Sequence, residues 1–254
     1  MGYKYKVNHH YFDEIDNEYK AYILGFIYAD GSVTQPKGNR QLTLTISLQE
    51  EDGYILEKFS QDACGGNFRI ENPPSSSKRG FKKRATVRIS SDILCKRLIS
   101  LGCIQNKSRD GMTFPNLPKK YEKDFIRGFL DGDGSVIFQK NRQYKYIRKT
   151  IYIIPNPHIQ RYRLRVAFSS TDKIFLEKIA EILGITKPYI ATKLRKQLNH
   201  ILWIENREQV LKVLEFLYSE STCFLERKYN SFKTFKETIK SQAKDTSLEG
   251  LETT

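Results

Sequence analysis

Alternation of polar and apolar residues marks three stretches of the chain. In residues 41–49 every odd position is polar and every even position is apolar. Residues 161–169 keep the same period, and residues 82–90 follow it with several basic side chains on one face. Successive side chains of a strand point to opposite faces, so the patterns predict half-buried strands with one open, polar face.

Apolar residues recurring every three to four positions predict helices between these strands. The helical stretches are 52–63, 91–101, 172–183 and 207–219. Residues 189–205 predict a further hairpin that turns near 197–199. With the two apolar runs described next, each half of the chain is predicted to run helix, strand, strand, helix, strand, strand, helix.

Two apolar runs end in the same four residues. Residues 23–33 and residues 126–136 are both helical in pattern, contain a central glycine and finish with Asp-Gly-Ser-Val. Asp30 and Asp133 therefore stand at equivalent positions of an internal repeat. A single Asp-Gly after a helix is an ordinary turn, but two copies, each followed by a polar-faced strand, indicate a paired site.

Pairs of small residues four positions apart lie in both runs. Gly25 and Ala29 form the pair in the first run, and Gly128 and Gly132 form it in the second. Such residues share one helix face and let two helices approach backbone to backbone. Packing through these faces would place the two aspartates side by side, where a divalent cation such as Mg²⁺ would relieve their repulsion.

Spacing within the two halves sets the predicted boundaries. The aspartates are 103 residues apart, whereas Leu-Glu-Lys at 56–58 and at 176–178 is 120 apart, so the second half carries about 17 extra residues near 140–160. That basic segment is predicted to be a long hairpin or loop. The predicted divisions are a first repeat at 1–102, a linker at 103–118, a second repeat at 119–242 and a disordered tail at 243–254.

Net charge points to a polyanionic partner. The chain has 254 residues and a formal net charge of +14, with a pI near 9.5. Such a balance favours nucleic acid, while the lack of an apolar run of about 20 residues disfavours a membrane role. The four cysteines form no CxxC pair, and no Gly-rich phosphate loop is present. We expect a bacterial, phage or organellar setting without secretion.

The two aspartate-terminated runs resemble the LAGLIDADG motif of homing endonucleases, in the single-chain, two-repeat form. The resemblance covers roughly residues 17–240. It implies an α+β fold of two pseudo-symmetric αββαββα repeats, each a saddle-shaped antiparallel sheet, packed through the two motif helices. It also implies that the monomer binds divalent metal, Mg²⁺ with Mn²⁺ or Ca²⁺ as substitutes for binding, through Asp30 and Asp133, and that the carbonyls of Ala29 and Gly132 assist.

Further roles follow from the same resemblance. The family places a basic and a polar residue near the metals. Our candidates for the basic role are Lys107 and Lys228, with Arg227 as the alternate to Lys228. Gln49 is the candidate for the polar role, and Ser169 or Ser170 would serve in the second half. Tyr28 departs from the motif where the second repeat keeps Asp131, a position that is not the usual metal ligand. Leu24 and Arg127 replace its small second residue.

Outward side chains of the predicted strands form the candidate DNA surface. An antiparallel ribbon fits the major groove, where arginine favours guanine and glutamine favours adenine. These faces carry almost no acid, and the halves differ, which predicts a long, non-palindromic duplex target. The candidate residues are Arg40, Gln41, Thr43, Thr45, Ser47, Lys82, Arg84, Thr86, Arg88, Lys140, Arg142, Arg161, Arg163, Arg165, Lys193 and Arg195.

Three functions remain open at this level. The leading one is a site-specific DNA endonuclease that hydrolyses both strands with Mg²⁺. The second is an RNA-binding intron maturase, because a basic surface serves either nucleic acid. The third is a non-catalytic DNA-binding regulator on the same fold, which the presence of both Asp30 and Asp133 disfavours.

Overall fold

A computed structural model describes the chain at 6–38, 40–71, 83–103, 111–140, 144–147, 150–153, 162–194 and 198–249. The first repeat has the predicted order of helices and strands. Its elements are α1 (Glu18–Asp30), β1 (Gly31–Thr34), β2 (Thr43–Gln49), α2 (Tyr54–Cys64), β3 (Phe68–Glu71), β4 (Arg84–Ser90) and α3 (Asp92–Ser100).

The second repeat has the same order with additions. Its elements are α4 (Glu122–Asp133), β5 (Ser135–Lys140), β6 (Tyr144–Ile147), β7 (Thr150–Ile153), β8 (Tyr162–Ser170), α5 (Lys173–Ile182), β9 (Tyr189–Leu194), β10 (Leu198–Ile204), α6 (Arg207–Tyr218) and α7 (Glu226–Glu249). The extra strands β6 and β7 pair with each other, so the predicted insertion near 140–160 contains a hairpin.

Two four-stranded antiparallel sheets carry the same topology. Their strand orders are β1-β2-β4-β3 and β5-β8-β10-β9, which match element for element. The prediction of an α+β chain built from two equivalent repeats is therefore confirmed. The tail prediction needs correction, because the backbone of α7 stays helical to Glu249. Good helix formers in this stretch, such as Ala243 and Lys244, favour continuation of the helix.

One face of each sheet is covered by helices and the other is open. On β2 the even residues Leu44, Ile46 and Leu48 are buried, as the alternation predicts. On β8 Leu164 and Phe168 are likewise buried in the core. Burial of this apolar stripe drives the helices onto the sheets and leaves the odd-numbered residues on the opposite, open face.

Helices α1 and α4 pack backbone to backbone through the small residues. A Cβ placed on Gly128 would lie 1.9 Å from the carbonyl oxygen of Tyr22, and one on Gly25 would lie 2.0 Å from that of Phe125. Neither carbonyl belongs to a flexible side chain that could move aside. The predicted interface between the motif helices is therefore confirmed, and glycine is required there by lack of space.

Gly128→Ala should lower the free energy of unfolding by at least about 2 kcal/mol, because its methyl group would force the two helix backbones apart. Thermal or urea unfolding monitored by circular dichroism checks this. Lys96→Ala, on the exposed face of α3, is the matched control and should change stability by less than about 0.5 kcal/mol. Equal stability of the two variants would contradict the close packing.

Within the described part of the chain, no helix combines the length and the apolar composition that a membrane span requires.

Candidate active site and nucleic-acid interface

Both motif helices end at their aspartate and turn at once into a strand. The residues that follow, Gly31 and Gly134, are extended, and their N–H groups return to the carbonyls of Ile27 and Leu130. A Cβ on Gly134 would lie 2.6 Å from the carbonyl oxygen of Leu130, so a larger residue would not fit. This abrupt exit leaves both aspartates exposed at the helix ends.

The structure brings the two helix ends together. A Cβ on Gly132 would lie 2.2 Å from the Cβ of Ala29 and 3.4 Å from a carboxylate oxygen of Asp30. Asp30 and Asp133 also both act electrostatically on the same buried ammonium, that of Lys228. The two carboxylates thus occupy one end of the helix pair, as the repeat predicts.

The donor set at this end suits a hard cation. Two exposed carboxylates, with the backbone carbonyls of Ala29 and Gly132 nearby, offer the oxygen ligands that Mg²⁺ prefers. No group of three or more His, Cys, Asp or Glu residues suited to a metal occurs within the residues that the structure describes. Water and phosphate oxygens would have to complete the shell of an ion held by Asp30 and Asp133.

Lys228 is tied to the end of α4. Its Nζ donates hydrogen bonds to the carbonyls of Leu130 at 2.6 Å, Asp131 at 2.7 Å and Gly134 at 2.7 Å. The side chain is buried, and burial lowers its pKa to about 8 against the opposing charge of Asp131. Lys228 therefore lies near the aspartates as predicted, but its ammonium caps the helix that carries Asp133.

The pH dependence of stability should reveal this ammonium. The pKa of Lys228 is about 8 in the folded chain and about 10.5 when unfolded, so between these values the unfolded state binds more protons. Lys228 therefore opposes folding below pH 8, and this penalty is relieved as the pH rises toward 10.5. Urea unfolding from pH 7 to 10 should show a rise in stability relative to Lys228→Met. Parallel pH profiles would contradict the burial of a charged amine.

Asp131 anchors a buried network beside this site. Its carboxylate accepts hydrogen bonds from the hydroxyls of Tyr22 at 2.9 Å and Tyr218 at 2.8 Å, and from the backbone N–H of Leu225 at 2.7 Å. Burial raises the pKa of Asp131. Its side chain is fully enclosed, so it positions the chain and does not face a substrate.

Tyr28 occupies the equivalent position in the first repeat and has an equivalent structural role. Its hydroxyl donates to the carbonyls of Leu101 and Thr113, in the segment that follows α3. Asp131 and Tyr28 each fasten the motif helix to the segment that leaves their own repeat. The departure from the motif at Tyr28 is thus a change of polar partner with the same structural role.

Those exit segments also reach the opposite repeat. After α6, Arg227 pairs with Asp52 at 3.2 Å, and the N–H of Glu226 donates to the hydroxyl of Tyr54 at 2.8 Å. Between the repeats, the N–H of Met112 donates to Asp172 at 3.2 Å. The segment that follows each repeat therefore contacts the opposite repeat at the junction between its second strand and its second helix.

Gln49 lies at one of these junctions. It ends β2 with an exposed side chain, immediately before a 3₁₀ turn at Glu50–Asp52. Arg227 binds that turn through Asp52, and Lys228 is the next residue. The structure therefore brings Gln49, Arg227 and Lys228 into one neighbourhood, while their catalytic roles stay predictions. Ser170 is buried and bonds to the Met112 sulfur and the Asp172 N–H, which removes it as a candidate polar group.

The open face of the first sheet is more crowded than the alternation predicts. Thr43 and Thr86 are buried, and their hydroxyls pair with those of Ser90 and Ser47, each at 2.9 Å. The expectation that these two threonines reach bases is therefore wrong in this structure. Thr45 and Ser47 are half-buried, and Arg84 is exposed. Gln41 precedes β2, and Arg40 is exposed in the β1–β2 loop.

Acidic partners also occur on these faces, contrary to prediction. Arg88 forms an ion pair with Glu71. On the second sheet, Glu205 binds Arg163 at 2.7 Å and Arg165 at 3.4 Å. The alternation within one strand gives no sign of these acids, because Glu71 belongs to another strand and Glu205 lies just past a strand end.

The structure describes some of the remaining candidate residues fully, one by its backbone alone, and others not at all. Lys193 is exposed on β9. Ser169 exchanges hydrogen bonds with Asn199 on the open face of β10, the shorter at 3.0 Å. Of Lys140 only the backbone, at the end of β5, is described. The predicted residues outside the described part of the chain are Lys82, Lys107, Arg142, Arg161 and Arg195.

Comparison with known proteins agrees with this architecture. A family model described as LAGLIDADG endonuclease matches residues 126–239, the second repeat. The resemblance predicted from the two motifs is confirmed. The chain carries the two-repeat LAGLIDADG fold.

Solved structures of the same fold cover nearly the whole chain. The I-LtrWI LAGLIDADG homing endonuclease bound to target DNA has a TM-score of 0.56 at 14% identity, over 88% of this chain and 91% of its own. The LAGLIDADG meganuclease I-CpaMI bound to uncleaved DNA has a TM-score of 0.57 at 13% identity, over 93% and 96%. I-SmaMI, bound to uncleaved target in the presence of calcium ions, has a TM-score of 0.54 at 14% identity, over 93% and 95%.

A curated relative is similar in sequence over part of its length. DNA-directed RNA polymerase subunit Rpo1C of Methanocaldococcus jannaschii is 28% identical over 130 residues, which are 51% of this chain. The match spans only 14% of that subunit.

Proposed function

We propose that the chain is a site-specific DNA endonuclease that uses a divalent metal to hydrolyse both strands of a long, asymmetric duplex. One observation carries the proposal: the two motif aspartates, one from each repeat, share one end of a glycine-packed helix pair. A regulator that only binds DNA has no need for adjacent, mutually repelling carboxylates.

Asp30 and Asp133, with the carbonyls of Ala29 and Gly132, would hold Mg²⁺. The ion, when bound, supplies activation of water and stabilisation of the leaving oxygen of a phosphodiester. The chain's own residues hold this arrangement. The glycine contacts fix the two helix ends against each other, and Lys228 fixes the turn after Asp133. Contribution of one carboxylate by each repeat suits attack on each strand of a duplex.

The open faces of the two sheets would bind the duplex. Antiparallel strands present alternate side chains to the major groove, and phosphate contacts by the basic chain would make binding strongly salt-dependent. The two faces carry different side chains, which supports an asymmetric target. Mg²⁺ as the physiological ion, and movement of an intron or intein as the biological role, remain part of the proposal.

Cleavage of a randomised duplex library tests the proposal. The chain is incubated with the library in Mg²⁺, in Mn²⁺ and in EDTA, and cut ends are sequenced. Discrete cuts on both strands at one long non-palindromic sequence, seen in Mg²⁺ and absent in EDTA, are the expected result. Selective duplex binding without cleavage in Mg²⁺ or Mn²⁺ would favour the regulator. Binding of structured intron RNA with no duplex binding would favour the maturase.

A further inference from the structure

The two open sheet faces differ in the row of residues that starts just after the motif helices. In the first sheet, Ser32 pairs across the strands with Thr45, and Thr45 pairs with Arg88. The corresponding row of the second sheet starts at Ser135, which pairs with Ala167. It continues to Trp203 and Tyr189. Both rows begin with a serine, but Thr45 and Arg88 of the first repeat are replaced by Ala167 and Trp203 in the second.

The next row of the second sheet continues this surface. Ile201 on β10 pairs with Ala191 on β9, on the same face as Trp203. Both Ile201 and Trp203 are partly exposed, and Tyr189 is 66% exposed. We call the set Tyr189, Ala191, Ile201 and Trp203 the apolar patch.

The two arginines beside the patch, Arg163 and Arg165, are already engaged by other side chains. Glu205 holds Arg163 and Arg165, and the Arg165 guanidinium also lies over the Trp203 ring, 5.3 Å from its centroid. Asn199 and Ser169 bond to each other. Arginine must present free N–H groups to pair with guanine, so these contacts weaken that mode of readout.

We propose that the apolar patch reads 5-methyl groups of pyrimidines in the major groove, so that the half-site facing the second repeat is recognised by its thymines. The inference rests on the proposed binding of duplex DNA. The thymine methyl group is the one apolar feature that a base pair presents in the major groove, and it is recognised by apolar contact. Lys193, exposed on the same face of β9, and the overall charge of +14 favour a DNA strand over an apolar protein partner.

Uracil substitution tests the inference, because uracil differs from thymine only by the missing methyl. The full chain is used in two parallel binding selections from randomised duplexes, one made with thymine and one with uracil. In the selected target, thymines are then replaced by uracils in one half-site at a time. In the half-site that faces the second repeat, each replacement that removes a contacted methyl should weaken binding about threefold to fivefold. Replacements in the other half-site should leave the affinity nearly unchanged.

Variants assign the effect to the second sheet. Ile201→Ser removes the apolar groups of this side chain and should reduce the difference between thymine and uracil in the sensitive half-site. Trp203→Gln should do the same, with folding checked by circular dichroism. Ile174→Ser, at an exposed position of α5 and outside both open sheet faces, is the control and should leave that difference unchanged.

Distinct outcomes separate the two proposals. Selective duplex binding with equal affinity for thymine and uracil in both half-sites would overturn methyl readout alone. Tighter binding to single strands would overturn it as well, since Tyr189 and Trp203 would then act by stacking. The absence of any selective duplex binding would overturn both proposals.

Discussion

Asp30→Asn and Asp133→Asn, each alone, should reduce double-strand cleavage by at least about 10³-fold. Asparagine keeps the shape of the side chain but removes the negative charge that would hold the cation, and metal stabilisation of the transition state is worth several kcal/mol. Because the two aspartates come from different repeats, a single substitution can leave a nick in one strand. Cleavage of the selected target, resolved strand by strand, measures the effect.

Binding and stability distinguish this loss from unfolding. Both aspartates are exposed, so the variants should unfold at nearly the wild-type temperature. Affinity for the duplex in the absence of metal should be unchanged or higher, since a charge that repels phosphate is gone. Asp62→Asn, at an exposed position of α2, is the matched control and should cleave normally. Full double-strand cleavage by the Asp30→Asn/Asp133→Asn double variant would rule out their metal role.

Arg127→Met should be the most destabilising substitution, lowering the free energy of unfolding by about 3–5 kcal/mol. The guanidinium is fully buried and pairs with Glu18 at 2.7 Å and Asp124 at 2.8 Å. It also donates to the carbonyls of Leu217 and Cys223. Methionine has similar length but leaves the enclosed carboxylate of Asp124 without its cation. Urea unfolding measures the loss.

An exposed arginine provides the comparison. Arg163→Met breaks the ion pair with Glu205. The Arg163 side chain is 41% exposed and the Glu205 side chain is 40% exposed. Surface pairs contribute about 0–1 kcal/mol, so this change should have little effect on unfolding. If Arg127→Met and Arg163→Met differ by less than about 1 kcal/mol, the buried pair does not stabilise the junction of the repeats.

Much of this architecture could be predicted from local patterns. Period-2 alternation located β2, β4 and β8, and the paired small residues predicted the contact of α1 with α4. The repeated Asp-Gly-Ser-Val also predicted that Asp30 and Asp133 share a site. The first two signals are readable because each is set by neighbours within one strand or one helix turn, and the third because the motif occurs twice in the chain.

The remaining features depend on contacts between distant parts of the chain. Nothing near Arg127 indicates that Glu18 is its partner, and the same holds for Asp131 and Tyr22. A lysine such as Lys228 looks like any surface lysine until its three carbonyl acceptors are placed around it. Prediction of the ion pair between Glu205 and Arg163 would likewise require knowledge of the strand register.

The contacts across the helix pair make the two repeats non-interchangeable. Equivalent residues of the two repeats are 103 positions apart. If two copies of the second repeat paired with each other, Tyr121 would replace Glu18 as the residue that faces Arg127. Phe125 would likewise replace Tyr22 as the residue that faces Asp131. Each copy would bury an arginine and an aspartate without these partners. The contacts between α1 and α4 therefore favour the pairing of unlike repeats. If the two repeats were produced as separate polypeptides, the heterodimer of first and second repeat should form in preference to either homodimer.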